Sequence, residues 1–175
     1  MEFGKICIAG MSPKNYRDAE RFFGTDTEIW TLNQMYLLSR AIEFHASKWF
    51  DLHTMAEILT YPGRFEWLHE KHSFPILMQQ KFIGVSDAVV FPKDELIERF
   101  GRYFTSSVAW IMAYAIHTGY TEINLTGIDM NEMQYMRQRP GCEYFIGRAR
   151  GMGITVNIPE SSALCKGTLY GYGER

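Results

Sequence analysis

Short apolar runs recur along the chain, each ending in a polar or glycine-containing turn and most leading into a stretch of helical character. Six of them, Lys5–Ala9, Glu28–Thr31, Lys48–Phe50, Pro75–Met78, Glu122–Thr126 and Ile154–Ile158, have the length and composition of buried strands. Between the first two, Lys14–Phe23 places Tyr16, Ala19, Phe22 and Phe23 at three- and four-residue spacing, which predicts a helix; Cys142–Gly151 reads the same way. The clearest helix is Ser107–His117, apolar nearly all round, opened by the capping residues Thr105 and Ser106 and stopped by Gly119. Strands alternating with helices predict parallel pairing, right-handed crossovers and helices on both faces of one sheet. The expected fold is a Rossmann-like α/β domain of six strands spanning residues 1–175 as a single unit.

Leu52–His72 is the least regular region, with the turn Tyr61-Pro62-Gly63 followed by a short amphipathic piece, Phe65–His69, suited to covering the sheet edge or a pocket. No repeat and no Gly/Ser/Pro-rich linker marks a domain boundary. At 46% hydrophobic residues over 175 positions, a sizeable core forms without cross-links. Cys7, Cys142 and Cys165 fit neither a disulfide framework nor a zinc knuckle and read as reduced thiols. A formal net charge of −2 gives no long-range attraction to nucleic acid or to an anionic membrane, so any anion is bound locally. Residues 1–5 show no charged leader, and no apolar run approaches ~18 residues, so a cytoplasmic protein outside the membrane is expected. Trp67, Tyr170 and Tyr172, read as exposed aromatics, leave a homo-oligomer open.

Ligands of open parallel sheets sit beyond the carboxyl ends of the strands, and here those ends carry chemistry. After the first strand come Gly10, Met11, Ser12 and Pro13: glycine admits a ligand close to the backbone, and a helix start offers N–H groups to phosphate. The same residues also make a plain turn, with Ser12 as cap and Pro13 at the first helical position. Asn33 and Gln34 follow the second strand and suit a base or ribose edge, or a helix cap. Asp51 and His53 follow the third, as an acid/base pair or as part of a solvated loop. Arg102, Thr105, Ser106 and Ser107 lead into the buried helix and suit a phosphate. Gly127 and Asp129 close the fifth strand, the aspartate placed to take a ribose hydroxyl or to act as a base. His69 and His72 lack metal-ligand spacing, so no metal is expected, and no cofactor is required beyond a nucleotide ligand.

The order Ile-Ala-Gly-Met-Ser-Pro, Leu32–Tyr36, Thr105-Ser106-Ser107 and Ala115–Asp129, the last containing Gly-Tyr, Glu-Ile and Gly-Ile-Asp, resembles the bacterial sialyltransferases that use CMP-sialic acid. It is also similar to the wider Rossmann-like group of pterin diphosphokinase-like and small phage proteins. The resemblance implies a CMP-like nucleotide or nucleotide-sugar ligand, with Gly10, Ser12, Asn33, Thr105 and Ser106 as nucleotide contacts. It implies a transferase in which Asp129, Asp51, Glu143 or Tyr144 handles a proton. Met11 stands where the family has asparagine, and the stretch Glu143–Gly147 stands where the family carries its catalytic histidine. Two other activities fit the same elements: a nucleotide-binding or sequestering protein without catalysis, of phage type, and a nucleoside deoxyribosyltransferase-like glycosidic hydrolase.

Overall fold

The computed structural model describes residues 4–173, so Met1, Glu2 and Phe3 of the expected leaderless start lie outside the described residues. Among the described residues seven strands, not six, form one wholly parallel sheet: β1 (Lys5–Ala9), β2 (Thr27–Leu32), β3 (Ala46–Asp51), β4 (Ile76–Met78), β5 (Ala88–Val90), β6 (Glu122–Thr126) and β7 (Thr155–Asn157). The strand missing from the sequence reading is β5. It has three residues at the sheet edge, with Val89 and Val90 exposed, so neither length nor apolar continuity announces it.

The spatial order is β5-β4-β3-β2-β1-β6-β7. The chain therefore winds outward in one direction from β1 to β5, then returns across the sheet to place β6 on the other side of β1. This reversal splays the connections apart above β1 and opens a crevice there.

Alternation along β1 sends Ile6 and Ile8 into one layer and Cys7 and Ala9 into the other, as period-two geometry requires. The first layer is covered by α5 (Lys93–Phe100), α6 (Ser107–Thr118) and α7 (Arg139–Gly151). The second lies under a 3-10 helix (Tyr16–Phe22) and four short helices, α1 (Met35–Leu38), α2 (Arg40–His45), α3 (Met55–Ile58) and α4 (Arg64–His69). Helix α6 is buried on most of its circumference, between the sheet and its neighbours α5 and α7. Ser106 caps it by accepting from the Ala109 amide at 3.1 Å, and Gly119 ends it at φ +89. Trp67 is not an exposed aromatic. It is buried, stacked on Tyr36 at 4.5 Å and packed against Trp49, whereas Tyr170 and Tyr172 are exposed. Among the described residues no helix is long and apolar enough to cross a membrane.

One polar cluster ties the sheet to the α6–β6 turn. The Glu28 carboxylate accepts from Tyr120 Oη, Trp30 Nε1, Ser47 Oγ and Lys48 Nζ. Burial alone raises its pKa, but the donors from Tyr120, Lys48 and Trp30 prevail and hold it at about 2, against an ordinary 4.5. A carboxyl depressed in the folded state contributes stability above its unfolded pKa and loses it as pH falls through the folded value. Acid unfolding of the wild type therefore includes a component between about pH 4.5 and 2 that Glu28→Gln lacks. Thermal unfolding across that range is expected to show a shallower acid slope for the variant, and parallel slopes would remove Glu28 from this role.

Candidate functional site

The crevice at the reversal is a cleft of about 510 Å³ lined from four strand ends. From β1 come Gly10, Met11, Ser12 and Pro13; from β2, Leu32, Asn33 and Gln34; from beyond β3, His53, Tyr61 and Arg64; from beyond β6, Gly127–Gln138 in part. Ser106, Ser107 and Val108 at the start of α6 complete the wall.

Gly10 and Gly127 let the ends of β1 and β6 meet backbone to backbone. A Cβ on Gly10 would lie 2.6 Å from the Gly127 carbonyl oxygen, and one on Gly127 would overlap the Gly10 carbonyl oxygen. Gly127 also has φ +63, a conformation costly for other residues. The contact is locked by three 2.7 Å bonds: Gly10 N–H to Thr126 O, Ser12 N–H to Gly127 O, and Gly127 N–H to Asn15 Oδ1. Asn15, buried and also donating to Ser161 Oγ at 2.8 Å, is a positioning residue that sequence reading missed. An asparagine in the turn before a short helix carries no local mark of a partner more than a hundred residues away.

Asn33 sits at φ 55, a left-handed conformation that asparagine tolerates. Its amide donates to Phe50 O at 3.1 Å and its carbonyl accepts from Trp49 Nε1 at 3.0 Å, so the backbone is held from β3. Its side-chain Oδ1 is buried and has no hydrogen-bond partner among the described residues. Buried acceptors are nearly always satisfied, so this unsatisfied one, on a residue that lines the cleft, marks a place for a donor. At the start of α6 the Ser106 hydroxyl serves Ala109, leaving the Ser107 and Val108 amides without an acceptor among the described residues. These amides carry the positive end of the helix dipole.

Asp129 lines the cleft with both oxygens engaged: Oδ2 pairs with Lys14 Nζ at 2.7 Å and Oδ1 accepts from Ala163 N–H at 2.8 Å. Burial works to raise its pKa, but Lys14, the Ala163 amide and Arg139 hold it below the ordinary carboxylate value. It is thus a fixed anion with lone pairs to share, suited to accepting a hydroxyl and weak as a base.

Five expected site residues do not line the cleft. Asp51 is completely buried, clamped by Arg64 through Nε to Oδ2 at 2.8 Å and Nη2 to Oδ1 at 2.7 Å. Thr105 turns away, its hydroxyl donating to Gln138 O at 2.7 Å and accepting from Gly141 N–H at 3.0 Å, which anchors the start of α7. Arg102 is exposed in the loop before α6. Glu143 and Tyr144 lie on α7, the first accepting from Arg139 Nε and the Cys165 amide, the second accepting from Arg148 Nη1. These three bonds hold α7 and the segment beyond it. Gly10, Met11, Ser12, Asn33, Gln34, Ser106, Ser107, Gly127 and Asp129 are brought together along the cleft. No group of three or more His, Cys, Asp or Glu side chains among the described residues is arranged to hold a metal.

Fold and cleft together define a Rossmann-like α/β protein with its pocket at the topological switch point. The chain matches no protein-family model, and no curated protein is similar to it in sequence. Its fold is that of the sialyltransferase CstII from Campylobacter jejuni. The structure of that enzyme in complex with the substrate analogue CMP-3FNeuAc superposes with a TM-score of 0.61 at 18% identity, covering 90% of this chain and 81% of that one. The complex with cytidine-5'-monophosphate gives 0.60 at 18% identity over 93% and 85%. The complex with trisaccharide acceptor and CMP gives 0.58 at 15% identity over 91% and 88%.

Proposed function

We propose that this protein binds a CMP-like nucleotide and its sugar-linked form in the cleft, as a glycosyltransferase-type protein. The observation that carries the reading is the buried, unpartnered Asn33 Oδ1, presented from a locked backbone at the switch point. An acceptor there suits the amino group of a cytosine or a ribose hydroxyl. Around it the Gly10–Pro13 turn admits close backbone approach, the α6 start offers amide donors, and Asp129 accepts a ribose hydroxyl. The solved neighbours hold CMP or a CMP-linked analogue, which supports the same ligand class.

Proton transfer does not fall to Glu143, Tyr144 or Asp51 in this reading, because none of them lines the cleft. Asp129 is the cleft carboxylate from the expected set, and its partners favour orientation of the ligand over proton abstraction.

The test is a thermal-shift panel of nucleotides. CMP is expected to raise the Tm in a concentration-dependent way, since a ligand selective for the native state stabilises it by mass action. Asn33→Gly preserves the left-handed backbone and removes the acceptor; it is expected to weaken CMP binding about tenfold. Ser106→Ala is expected to weaken it as well. No response to any pyrimidine nucleotide would overturn the reading. Mass spectrometry of a CMP-linked sugar after incubation then separates turnover from binding alone.

A further inference from the structure

On the β3 side of the cleft lies an assembly that the nucleotide reading leaves unused: Asp51, His53 and Arg64. Arg64 is 1% exposed, yet lines the cleft. Its Nε and Nη2 are spent on Asp51, while Nη1 has no acceptor among the described residues. His53 also lines the cleft, with its side chain about a quarter exposed. Its Nδ1 lies 2.8 Å from Arg64 Nη2 and 3.1 Å from Asp51 Oδ1. Its Nε2 has no partner among the described residues.

The two neighbours of Nδ1 make opposite demands. Asp51 favours a proton on Nδ1, whereas Arg64 favours a lone pair. Arg64 lies closer and is always protonated, and Nη2 carries two hydrogens, one for Asp51 Oδ1 and one for Nδ1. Asp51 Oδ1 already accepts from Arg64 and, more weakly, from the His53 amide at 3.4 Å. The lone pair therefore belongs on Nδ1 and the proton on Nε2. The assembly then has donors left over, the imidazole Nε2–H and Nη1 of the guanidinium, on two residues that line the cleft, with the balancing Asp51 carboxylate completely buried.

The cleft lining also holds two carboxylates from beyond β6, Asp129, which is paired with Lys14, and Glu132. Arg64 is the one lysine or arginine lining the cleft among the described residues, so an anionic group is drawn toward it. We infer that His53 and Arg64 form an anion subsite for the phosphate of the bound nucleotide, with Asp51 as positioning residue, and that this subsite orients the nucleotide with its ribose toward Asp129. This rests on the cleft being a nucleotide site.

The experiment compares CMP with cytidine by calorimetry on the wild type, His53→Ala and His53→Gln, with 15N NMR of the imidazole in the ligand-free protein. His53→Ala is expected to weaken CMP about tenfold or more, the usual loss for a hydrogen bond to a charged group, and to leave cytidine within about twofold. His53→Gln, which keeps an N–H donor, is expected to recover part of the loss. Equal losses for CMP and cytidine, or no loss for either, would overturn the subsite while the nucleotide reading stands. Failure of the wild type to bind either compound would end both. The NMR readout is independent of ligand: protonated Nε2 with bare Nδ1 supports the assembly, and the reverse overturns it.

Discussion

Gly127→Ala is expected to lower the Tm by about 10 °C and to abolish nucleotide binding. An alanine at φ +63 carries a backbone penalty of about 1–2 kcal/mol, and its methyl group overlaps the Gly10 carbonyl oxygen. The neighbouring chain cannot give way cheaply, because Gly10, Ser12 and Asn15 are each bonded across the β1–β6 junction at 2.7 Å. A total of about 3 kcal/mol or more follows, and 1 kcal/mol moves the Tm of a domain this size by about 2–4 °C. Gly147→Ala is the control: Gly147 lies within α7 with open space at its Cβ, so helix propensity makes the change neutral or slightly stabilising. Calorimetry on the two variants checks both. Equal Tm values would show that the strand ends do not depend on this backbone contact.

The second large effect belongs to the Asp51–Arg64 pair. Arg64→Met leaves the fully buried Asp51 carboxylate without its partner, at an expected cost of about 3–5 kcal/mol. Asp51→Leu strands the guanidinium in the same way. The double variant Asp51→Leu/Arg64→Met removes both charges and is expected to recover most of the loss, because well-packed apolar replacements of buried pairs are often neutral. Urea unfolding of the four proteins closes a double-mutant cycle. Additive losses would mean that the two side chains act independently, contrary to their bidentate geometry.

Much of the cleft lining was legible because its signals are local. A glycine that ends a strand, an asparagine after the next strand and a serine opening an apolar helix each have a backbone reason visible within a few residues, and all three line the cleft. The expected site residues that stand apart from the cleft are those whose partners are remote. Thr105 and Ser106 look equivalent as caps, yet only Ser106 caps the helix, while Thr105 reaches Gln138, 33 residues on. Asp51 beside His53 suggests an acid/base pair until Arg64, 13 residues later, takes both carboxylate oxygens. Glu143 and Tyr144 owed their candidacy to motif order, which specifies neither the face of α7 nor its distance from the cleft.

The sequence by itself determined the α/β class, six of the seven strands and the buried helix, because hydrophobic periodicity and capping act over a few residues. Tertiary structure alone decided the strand order, the short edge strand, the meeting of Gly10 with Gly127 and the enclosure of the cleft by residues 127–138. The physical reason is that pairing of distant segments minimises the energy of the whole sheet, and no local pattern records which strand end will lie beside which.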